Sequence, residues 1–236
     1  MYVMTCNNLT KTYGHTMALD HLNFSIESGR IIGLLGPNGS GKTTLIKLAN
    51  GLLTPTSGAI QICGMNPGKE SHALVSYLPE RSSIPTWMSV EQLMDFYSDF
   101  YSDFRRFVAE DMLKHLNISP KQRIKQMSKG TREKVQLIMV MSRTAKLYLL
   151  DEPIGGVDPA TRDYILSTII SNYNPEASVI ISTHLISDVE NILDDVLFIN
   201  QGRIVLQSSV DEIREEKGMS VDALFRETNY MKSSEN

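Results

Sequence analysis

An α/β fold built on a mostly parallel sheet is the fold class that the sequence predicts. Short apolar runs of strand length recur along the chain, and several are apolar at every position, which is typical of parallel strands buried on both faces. These runs lie at residues 31–35, 75–78, 147–150, 179–182 and 196–199. The chain has 236 residues, enough to bury one sizeable core, so we expect a single domain over residues 1–236.

The N-terminal residues predict a smaller sheet in front of this core. Residues 3–9 and 17–26 have the composition of strands, and Tyr13-Gly14 provides a turn between them. Two strands joined by a short turn pair antiparallel. We therefore expect an N-terminal antiparallel β-subdomain that precedes the first buried strand.

Helical periodicity dominates residues 84–143 and predicts an inserted helical lobe. The spacing of apolar residues indicates helices at 90–107, at 109–116 and at about 131–142. The first of these helices is rich in aromatic residues that recur four positions apart, which predicts one broad aromatic face.

The C-terminal part of the chain returns to the α/β pattern. Residues 160–171 predict a helix that covers the sheet, and an Asn-Gln-Gly segment predicts a turn into a last strand at 203–206. The predicted division is an α/β core with its antiparallel subdomain at 1–83 and 144–208, the helical lobe at 84–143, and a short charged helical tail at 209–236.

Residues 36–44 read Gly-Pro-Asn-Gly-Ser-Gly-Lys-Thr-Thr, a complete G-x-x-x-x-G-K-[ST] phosphate-binding loop between a predicted strand and a predicted helix. Its glycines let backbone N–H groups approach phosphate oxygens, and the helix adds its positive N-terminal dipole. We expect Lys42 near the β and γ phosphates, the Thr43 hydroxyl on Mg²⁺, and Thr44 near the α phosphate. The loop predicts binding of a nucleoside triphosphate. The residues expected to hold it are Gly36, Pro37, Asn38, Gly39, Ser40, Gly41, Lys42, Thr43 and Thr44.

Composition and charge disfavour several other classes of protein. The net charge is −4 with both signs interspersed, so no nucleic-acid partner is expected. The two cysteines, Cys6 and Cys63, are far apart and lack metal-ligand spacing, which fits a reducing cytoplasm. No apolar run approaches the roughly 18 residues of a membrane span, so we expect a soluble chain that reaches a membrane only through a partner.

The predicted strand at 147–150 ends in two carboxylates, Asp151 and Glu152. A hydrolase that acts on a magnesium–nucleotide complex needs such groups opposite its phosphate loop. We expect Asp151 to hold Mg²⁺ through water, and Glu152 to orient and deprotonate the attacking water. The strand therefore predicts the catalytic side of a nucleotide site.

Residues 128–133, upstream of that strand, read Ser-Lys-Gly-Thr-Arg-Glu and open an amphipathic helix. Here the chain resembles the ATP-binding subunits of ABC transporters, whose signature segment reads Ser-Gly-Gly-Gln before a helix. The resemblance covers nearly the whole chain in the same order, from the aromatic Tyr13 through the phosphate loop and the signature to Asp158 and His184. It implies the ABC-cassette form of the P-loop NTPase fold, with ATP and Mg²⁺ as cofactors.

The same resemblance implies roles for individual residues. Tyr13 would stack on adenine, and Ser128 and Gly130 would contact the γ phosphate held by a second copy. His184 would bind the γ phosphate and hold Glu152 with its water in line, and Asp158 would couple the two sites. Plainer interpretations stay open, namely a turn residue for Tyr13, a helix cap for Ser128 and a structural histidine for His184.

Two positions depart from the family pattern. Glu80 stands where the family usually has Gln, at the residue that touches Mg²⁺ and reports the nucleotide state to the membrane subunit. A carboxylate still suits a hard cation but adds negative charge beside the triphosphate. In the signature, Lys129 and Thr131 replace Gly and Gln, and Lys129 either adds a cation near the γ phosphate of a second copy or points to solvent.

The aromatic segment of the lobe also has two interpretations. Phe96, Phe100 and Phe104 are expected to form the core of the lobe itself. In the family, a groove beside this lobe receives a short helix of the membrane subunit, and we expect Trp87 and Met88 to be exposed contacts for it.

The sequence thus predicts the ATPase subunit of an ABC transporter of the drug- or peptide-exporter kind. Its partners would be a polytopic membrane subunit and a second copy of itself or a paralogous ATPase subunit. We expect it in the cytoplasm, bound to the inner face of the cell membrane through that partner. The alternatives are a non-transport ABC-type ATPase of DNA repair or translation, and a nucleotide kinase. The long coiled coil or second cassette of the former is not visible in the sequence.

Overall fold

The structure, a computed structural model, describes residues 1–174 and 176–233. Strands and helices follow one another in the order of an α/β domain with an antiparallel sheet at its N-terminus. The strands are β1 Tyr2–Tyr13, β2 Thr16–Glu27, β3 Ile31–Leu35, β4 Ser57–Ile62, β5 Val75–Leu78, β6 Leu147–Asp151, β7 Ser178–Thr183, β8 Asp195–Asn200 and β9 Arg203–Ser209. The helices are α1 Lys42–Ala49, α2 Lys69–His72, α3 Val90–Phe100, α4 Arg106–His115, α5 Lys129–Met141, α6 Pro159–Asn172, α7 Ile186–Val189, α8 Val210–Lys217 and α9 Val221–Ser233.

The core sheet has the strand order β5-β6-β7-β3-β8-β9, and every neighbouring pair except β8 and β9 is parallel. Strand β3 lies inside the sheet between β7 and β8, so the segment that follows it emerges beside the carboxyl ends of β6 and β7. Ligands of open α/β sheets bind at this edge. The predicted fold class, an α/β cassette with a mostly parallel core sheet, is confirmed.

Both faces of this sheet are covered, which explains why its strands read as continuous apolar runs. Along β6, Leu147 and Leu149 pack with α1 and the antiparallel sheet. Tyr148 and Leu150 on the opposite face pack with the helical lobe and α6. The alternation places one hydrophobic cluster on each side of the sheet.

The antiparallel subdomain has three strands, in the order β2-β1-β4. The predicted strand pair at 3–9 and 17–26 corresponds to β1 and β2, which run longer than predicted and meet at Tyr13 and Thr16. Strand β4 was not predicted from the sequence. Its residues Ser-Gly-Ala-Ile-Gln-Ile are mostly exposed, and an edge strand with one buried side shows only a weak hydrophobic pattern.

The helical lobe contains α3, α4 and α5, and the prediction of one helix over residues 90–107 was wrong. Helix α3 ends at Phe100 because Tyr101 is extended, with φ −124° and ψ 104°. Tyr101 then turns inward and its ring lies 3.8 Å from the Arg143 guanidinium carbon. The chain resumes a helix only at α4.

The predicted single aromatic face is divided by this break. The rings of Phe96 and Phe100 stack with centroids 4.5 Å apart on the outer surface, where Phe100 is 69% exposed. Tyr97 and Phe104 pack against the core instead, with centroids 5.5 Å apart. The expected core role therefore holds for Phe104 and is wrong for Phe96 and Phe100.

The two residues proposed as exposed contacts also differ. Trp87 is 67% exposed, as expected, whereas Met88 is buried in the lobe core. The two residues precede α3, where Ser89 caps the helix by accepting a hydrogen bond from the Gln92 N–H. The turn that positions this cap directs the two neighbouring side chains to opposite sides.

The C-terminal segment forms α8 and α9, which return to the core through Val210, Ile213, Val221 and Leu224. The predicted helical tail at 209–236 therefore packs on the domain, and its residues 234–236 lie outside the described residues. Among the residues that the structure describes, no helix is long and apolar enough to cross a membrane.

Candidate nucleotide site

The phosphate loop, residues 36–44, joins β3 to α1 as the motif predicts, with Lys42 as the first helical residue. Gly39 and Gly41 have φ of +79° and +111°, in the region that favours glycine. A Cβ on Gly36 would lie 2.2 Å from the carbonyl oxygen of Ile199, so only glycine fits there. The neighbouring hairpin also supports the loop, since the Gly202 N–H donates to the Ser40 carbonyl at 2.9 Å.

Lys42 is buried at the base of the loop and its ammonium group has three oxygen neighbours. It donates to the carbonyl oxygens of Gly36 at 2.7 Å and Pro37 at 3.2 Å. Its Nζ also lies 3.4 Å from Oε1 of Glu152. The loop thus holds a buried cation beside one of the two carboxylates that end β6.

Asp151 is the other carboxylate, and it is buried directly behind the loop. Its Oδ1 accepts hydrogen bonds from the hydroxyls of Thr43 at 3.1 Å and Ser182 at 2.6 Å. Its Oδ2 is buried and has no hydrogen-bond partner. Burial raises the pKa of Asp151 above its ordinary value, and the charges of Glu80 and Glu152 add to the rise, while the two hydroxyls act in the opposite direction.

Glu152 is held in an unusual backbone conformation. Its φ is +49°, a value that a non-glycine residue adopts only when the surroundings compensate for the strain. The compensation comes from Ser182, whose carbonyl oxygen and Oγ both accept from the Glu152 N–H, at 3.0 and 3.1 Å. The carboxylate is thereby directed toward Lys42 and toward His184, whose Nδ1 lies 3.1 Å from Oε2.

Glu152 and His184 line a cavity of about 560 Å³ between the loop and the helical lobe. Glu80 lies on the wall of the same cavity. The lobe contributes Lys129 from the start of α5. The cavity therefore brings the two departures from the family pattern, Glu80 and Lys129, to one surface.

Four predicted residues lie outside the cluster around Lys42. Tyr13 ends β1 with its ring 47% exposed and the Lys11 ammonium 5.4 Å from the ring centre. Ser128 caps α5 by accepting from the Thr131 N–H at 3.1 Å, and nothing lies within 4 Å of the position where Gly130 would carry a Cβ. Asp158 caps α6 through Thr161, whose hydrogen bonds lower its pKa. Tyr13, Ser128 and Asp158 are exposed, and Gly130 is half-buried.

Ser182 is a site residue that the sequence reasoning missed. It bonds both Asp151 and the Glu152 N–H, so it connects the two carboxylates. The available signal was its position: Ser182 lies in register with Asp151 on the neighbouring parallel strand β7, two residues before His184. A small hydroxyl at the carboxyl end of a fully buried strand is a candidate for such a contact.

A mostly parallel sheet with a phosphate loop, a buried lysine and a strand that ends in two carboxylates defines a nucleotide-binding protein of the P-loop class. Comparisons with known proteins then identify the family. A family model described as ABC transporter matches residues 19–155. The SkfA peptide export ATP-binding protein SkfE of Bacillus subtilis (strain 168) is 31% identical over 222 residues, which cover 92% of this chain and 93% of that protein.

Two further matches extend the comparison. The daunorubicin resistance ATP-binding protein DrrA3 of Streptomyces coeruleorubidus is 25% identical over 237 residues, covering 97% of this chain and 75% of that protein. A solved ATP-binding subunit of an ABC transporter aligns with a TM-score of 0.85 at 26% identity, over 95% of this chain and 98% of that one. The chain belongs to the ABC transporter family, as an ATP-binding subunit and an ATPase.

Proposed function

We propose that this chain binds and hydrolyses Mg-ATP at an interface between two copies of itself, or between itself and a paralogous subunit, and thereby drives export by a separate membrane protein. The observation that carries the proposal is the row Lys42–Glu152–His184, with spacings of 3.4 and 3.1 Å, at the open end of the phosphate loop.

The loop would hold the triphosphate of ATP. Its backbone N–H groups and the start of α1 supply partial positive charge, and Lys42 supplies a full one. Thr44 would reach the α phosphate. Tyr13 would stack on adenine, a role supported by its exposed ring at the end of β1 on the same domain.

The residues present fit a magnesium ion. The buried, unpartnered Oδ2 of Asp151 and the adjacent Thr43 hydroxyl are hard oxygen donors, and Glu80 offers a third from the cavity wall. The described residues include no cluster of three or more His, Cys, Asp or Glu side chains that would hold a metal alone. Mg²⁺ suits such a site, since it commonly binds one or two carboxylates together with substrate phosphates. When bound, it would neutralise part of the negative charge of the phosphates.

Hydrolysis would proceed by attack of water on the γ phosphorus, with cleavage of its bond to the bridging oxygen to yield ADP and phosphate. Glu152 would orient that water and accept its proton. His184 would hold the Glu152 carboxylate and bind the γ phosphate. Lys42 would stabilise the charge that spreads over the phosphate oxygens.

A second copy would complete the site. Pro37, Asn38 and Gly39 are exposed at the tip of the loop, so one side of a bound triphosphate would face solvent. Ser128 and Gly130 of the other copy, at the N-terminus of α5, would cover that side, because a helix N-terminus with a hydroxyl and a bare backbone favours an anion. Asp158, exposed at the start of α6, would connect the two sites.

The membrane partner would dock beside the lobe, which would place the chain at the inner face of the cell membrane. A groove of about 580 Å³ runs between α1 and the lobe, with Tyr97 and Tyr101 along one wall. Export is supported by the named relatives, of which one belongs to peptide export and one to drug resistance. Trp87, exposed on the lobe, is a second candidate contact.

The test is a pair of substitutions. Glu152→Gln should retain ATP binding, lower turnover by about 100-fold or more, and give a Mg-ATP-dependent dimer on a sizing column. Lys42→Ala should lose ATP binding. Glu216→Gln, on the exposed surface of α8, is the matched control and should leave both unchanged. Normal turnover in Glu152→Gln would refute the catalytic assignment.

A further inference from the structure

Ser182 links the two carboxylate-bearing residues at the end of β6 through a single oxygen atom. Its hydroxyl donates to Oδ1 of Asp151 at 2.6 Å, and the same Oγ accepts from the Glu152 N–H at 3.1 Å. The side chain is fully buried, so it can act on a reaction only through these two neighbours. The first neighbour is the proposed Mg²⁺-binding residue, and the second is the proposed base.

The carboxylate of Glu152 has two other neighbours, and both are proposed to bind phosphate. Lys42 Nζ lies 3.4 Å from Oε1, and His184 Nδ1 lies 3.1 Å from Oε2. A triphosphate in the loop would compete with the carboxylate for both groups, because each group can pair with an oxygen of either. The position of Glu152 in the filled site therefore depends on how its backbone is held.

The backbone of Glu152 is strained and needs support from β7. Its φ of +49° is costly for a non-glycine residue. The Ser182 carbonyl oxygen accepts from the Glu152 N–H at 3.0 Å, so this amide keeps an acceptor even without the hydroxyl. What the hydroxyl adds is the link to Asp151. Loss of the hydroxyl should therefore displace the base relative to Asp151 without unfolding the protein.

Thr43 is the other donor to the same oxygen of Asp151, at 3.1 Å, but its hydroxyl is also proposed to bind Mg²⁺. Ser182 makes the shorter hydrogen bond and has no proposed contact with metal or phosphate. We infer that Ser182 is a positioning residue for ATP hydrolysis, whose hydroxyl fixes the Glu152 carboxylate relative to Asp151. This inference rests on the roles proposed above for those two carboxylates.

Steady-state ATPase kinetics of Ser182→Ala test the inference, with Ser178→Ala as the matched control. Ser178 lies at the other end of β7 and is equally buried, and its hydroxyl accepts from the Gly29 N–H at 3.0 Å and donates to the Glu27 carbonyl oxygen at 3.3 Å. Both variants should lower Tm by about 2–4 °C, since each loses buried hydrogen bonds. Ser182→Ala alone should lower kcat about tenfold, with the KM for Mg-ATP within about twofold of wild type.

A second measurement asks whether the effect passes through Glu152. Adding Ser182→Ala to the Glu152→Gln protein should lower the residual turnover at most about twofold, because the base that Ser182 positions is already lost. The affinity of the Glu152→Gln protein for a fluorescent ATP analogue with Mg²⁺ should change at most about threefold on the same addition. Ser182→Cys fills the same space with a weak hydrogen-bonding group, so it should also lower kcat. It replaces Ser182→Ala if that variant does not fold.

The outcomes separate the inference from the function on which it rests. An unchanged kcat in Ser182→Ala, an equal loss of kcat in Ser178→Ala, or a tenfold loss that persists in the Glu152→Gln protein would each overturn the inference and leave the proposed function intact. A loss of Mg-ATP affinity as large as the loss of kcat would also overturn it, since Ser182 would then act on binding. Normal turnover in the Glu152→Gln protein would instead remove the catalytic assignment, and the role of Ser182 with it.

Discussion

Asp151 and Glu152 are neighbours in the chain, yet each violates a different rule of stable folding. Asp151 is a buried carboxylate with one oxygen that lacks a hydrogen bond, and Glu152 has a positive φ. Both features cost free energy in the folded protein. Such costs concentrate where a protein binds or reacts, so these two residues support the proposed site independently of any motif.

The substitution Asp151→Asn tests whether the buried carboxylate lowers the stability of the fold while it serves the proposed Mg²⁺ site. Removing the buried charge should stabilise the nucleotide-free protein by about 1 kcal/mol, or raise Tm by about 2–4 °C. The same change should abolish the extra stabilisation that Mg²⁺ gives in the presence of ATP. Thermal melts with and without Mg²⁺ measure both effects, and Asp163→Asn on the exposed face of α6 is the control. A lower Tm without ligand would contradict the argument.

The raised pKa of Asp151 also predicts how stability depends on pH. Between the unfolded pKa of 3.8 and the higher folded value, the folded protein binds more protons at this group than the unfolded chain does. Stability from this group therefore falls as pH rises through that interval. Denaturant melts of wild type and Asp151→Asn should show a difference that grows with pH above about 4 and is absent below it.

At the scale of elements, the signature segment at residues 128–133 forms the start of α5. A substitution at Gly130, in the first turn of this helix, should affect dimer formation without lowering the stability of the fold. Nothing lies within 4 Å of a Cβ at this position, and alanine favours a helix over glycine by about 1 kcal/mol. Gly130→Ala should therefore retain or slightly raise Tm. It should also raise the ATP concentration needed for dimer formation in the Glu152→Gln protein, because in the proposed two-copy site the added methyl group would meet the phosphate held by the other copy. Unchanged dimer formation would remove Gly130 from the interface.

Arg143 joins the lobe to the core sheet. Its guanidinium donates to Asp103 and stacks on Tyr101, and both of these residues lie in the segment between α3 and α4. The guanidinium also donates to the carbonyl oxygens of Ala73 and Val75, at the start of β5. Arg143→Met should cost about 3–5 kcal/mol, since it leaves Asp103 and two carbonyls without their partner. Arg106→Met, which breaks a surface network with Asp95 and Glu110, should cost about 1 kcal/mol or less in the same denaturant melt.

The errors of prediction at this scale have a common physical cause. Residues 97–100 and residues 101–104 both read Tyr-Ser-Asp-Phe, and this tandem keeps helical spacing through residue 104. The helix nevertheless ends at Phe100, and Tyr101 packs on Arg143 instead of continuing it. Arg143 lies far along the chain, so no local pattern contains that contact. Strand β4 was missed for a related reason, because its pairing with β1 is a tertiary interaction.

For the whole molecule, the order of motifs predicted more than any single residue did. The apolar runs predicted β3 and β5 to β8 because a strand that is buried on both faces has apolar residues at nearly every position. The phosphate loop and the paired carboxylates predicted which strand ends meet, since parallel strands place their carboxyl ends at one edge. The strain at Glu152 and its support by Ser182 could not be predicted, because both depend on backbone geometry across two strands.

A whole-molecule prediction follows from the open side of the site. If ATP joins two copies, the increase in Tm that it causes includes the free energy of association, so this increase must depend on the protein concentration. A ligand that binds one copy alone raises Tm by an amount that does not depend on the protein concentration. In the Glu152→Gln protein, the Tm increase with Mg-ATP should grow by a few degrees between about 1 µM and about 50 µM protein. Mg-ADP should give the same shift at both concentrations, and Lys42→Ala should give none. An ATP shift independent of protein concentration would place the complete site within one copy.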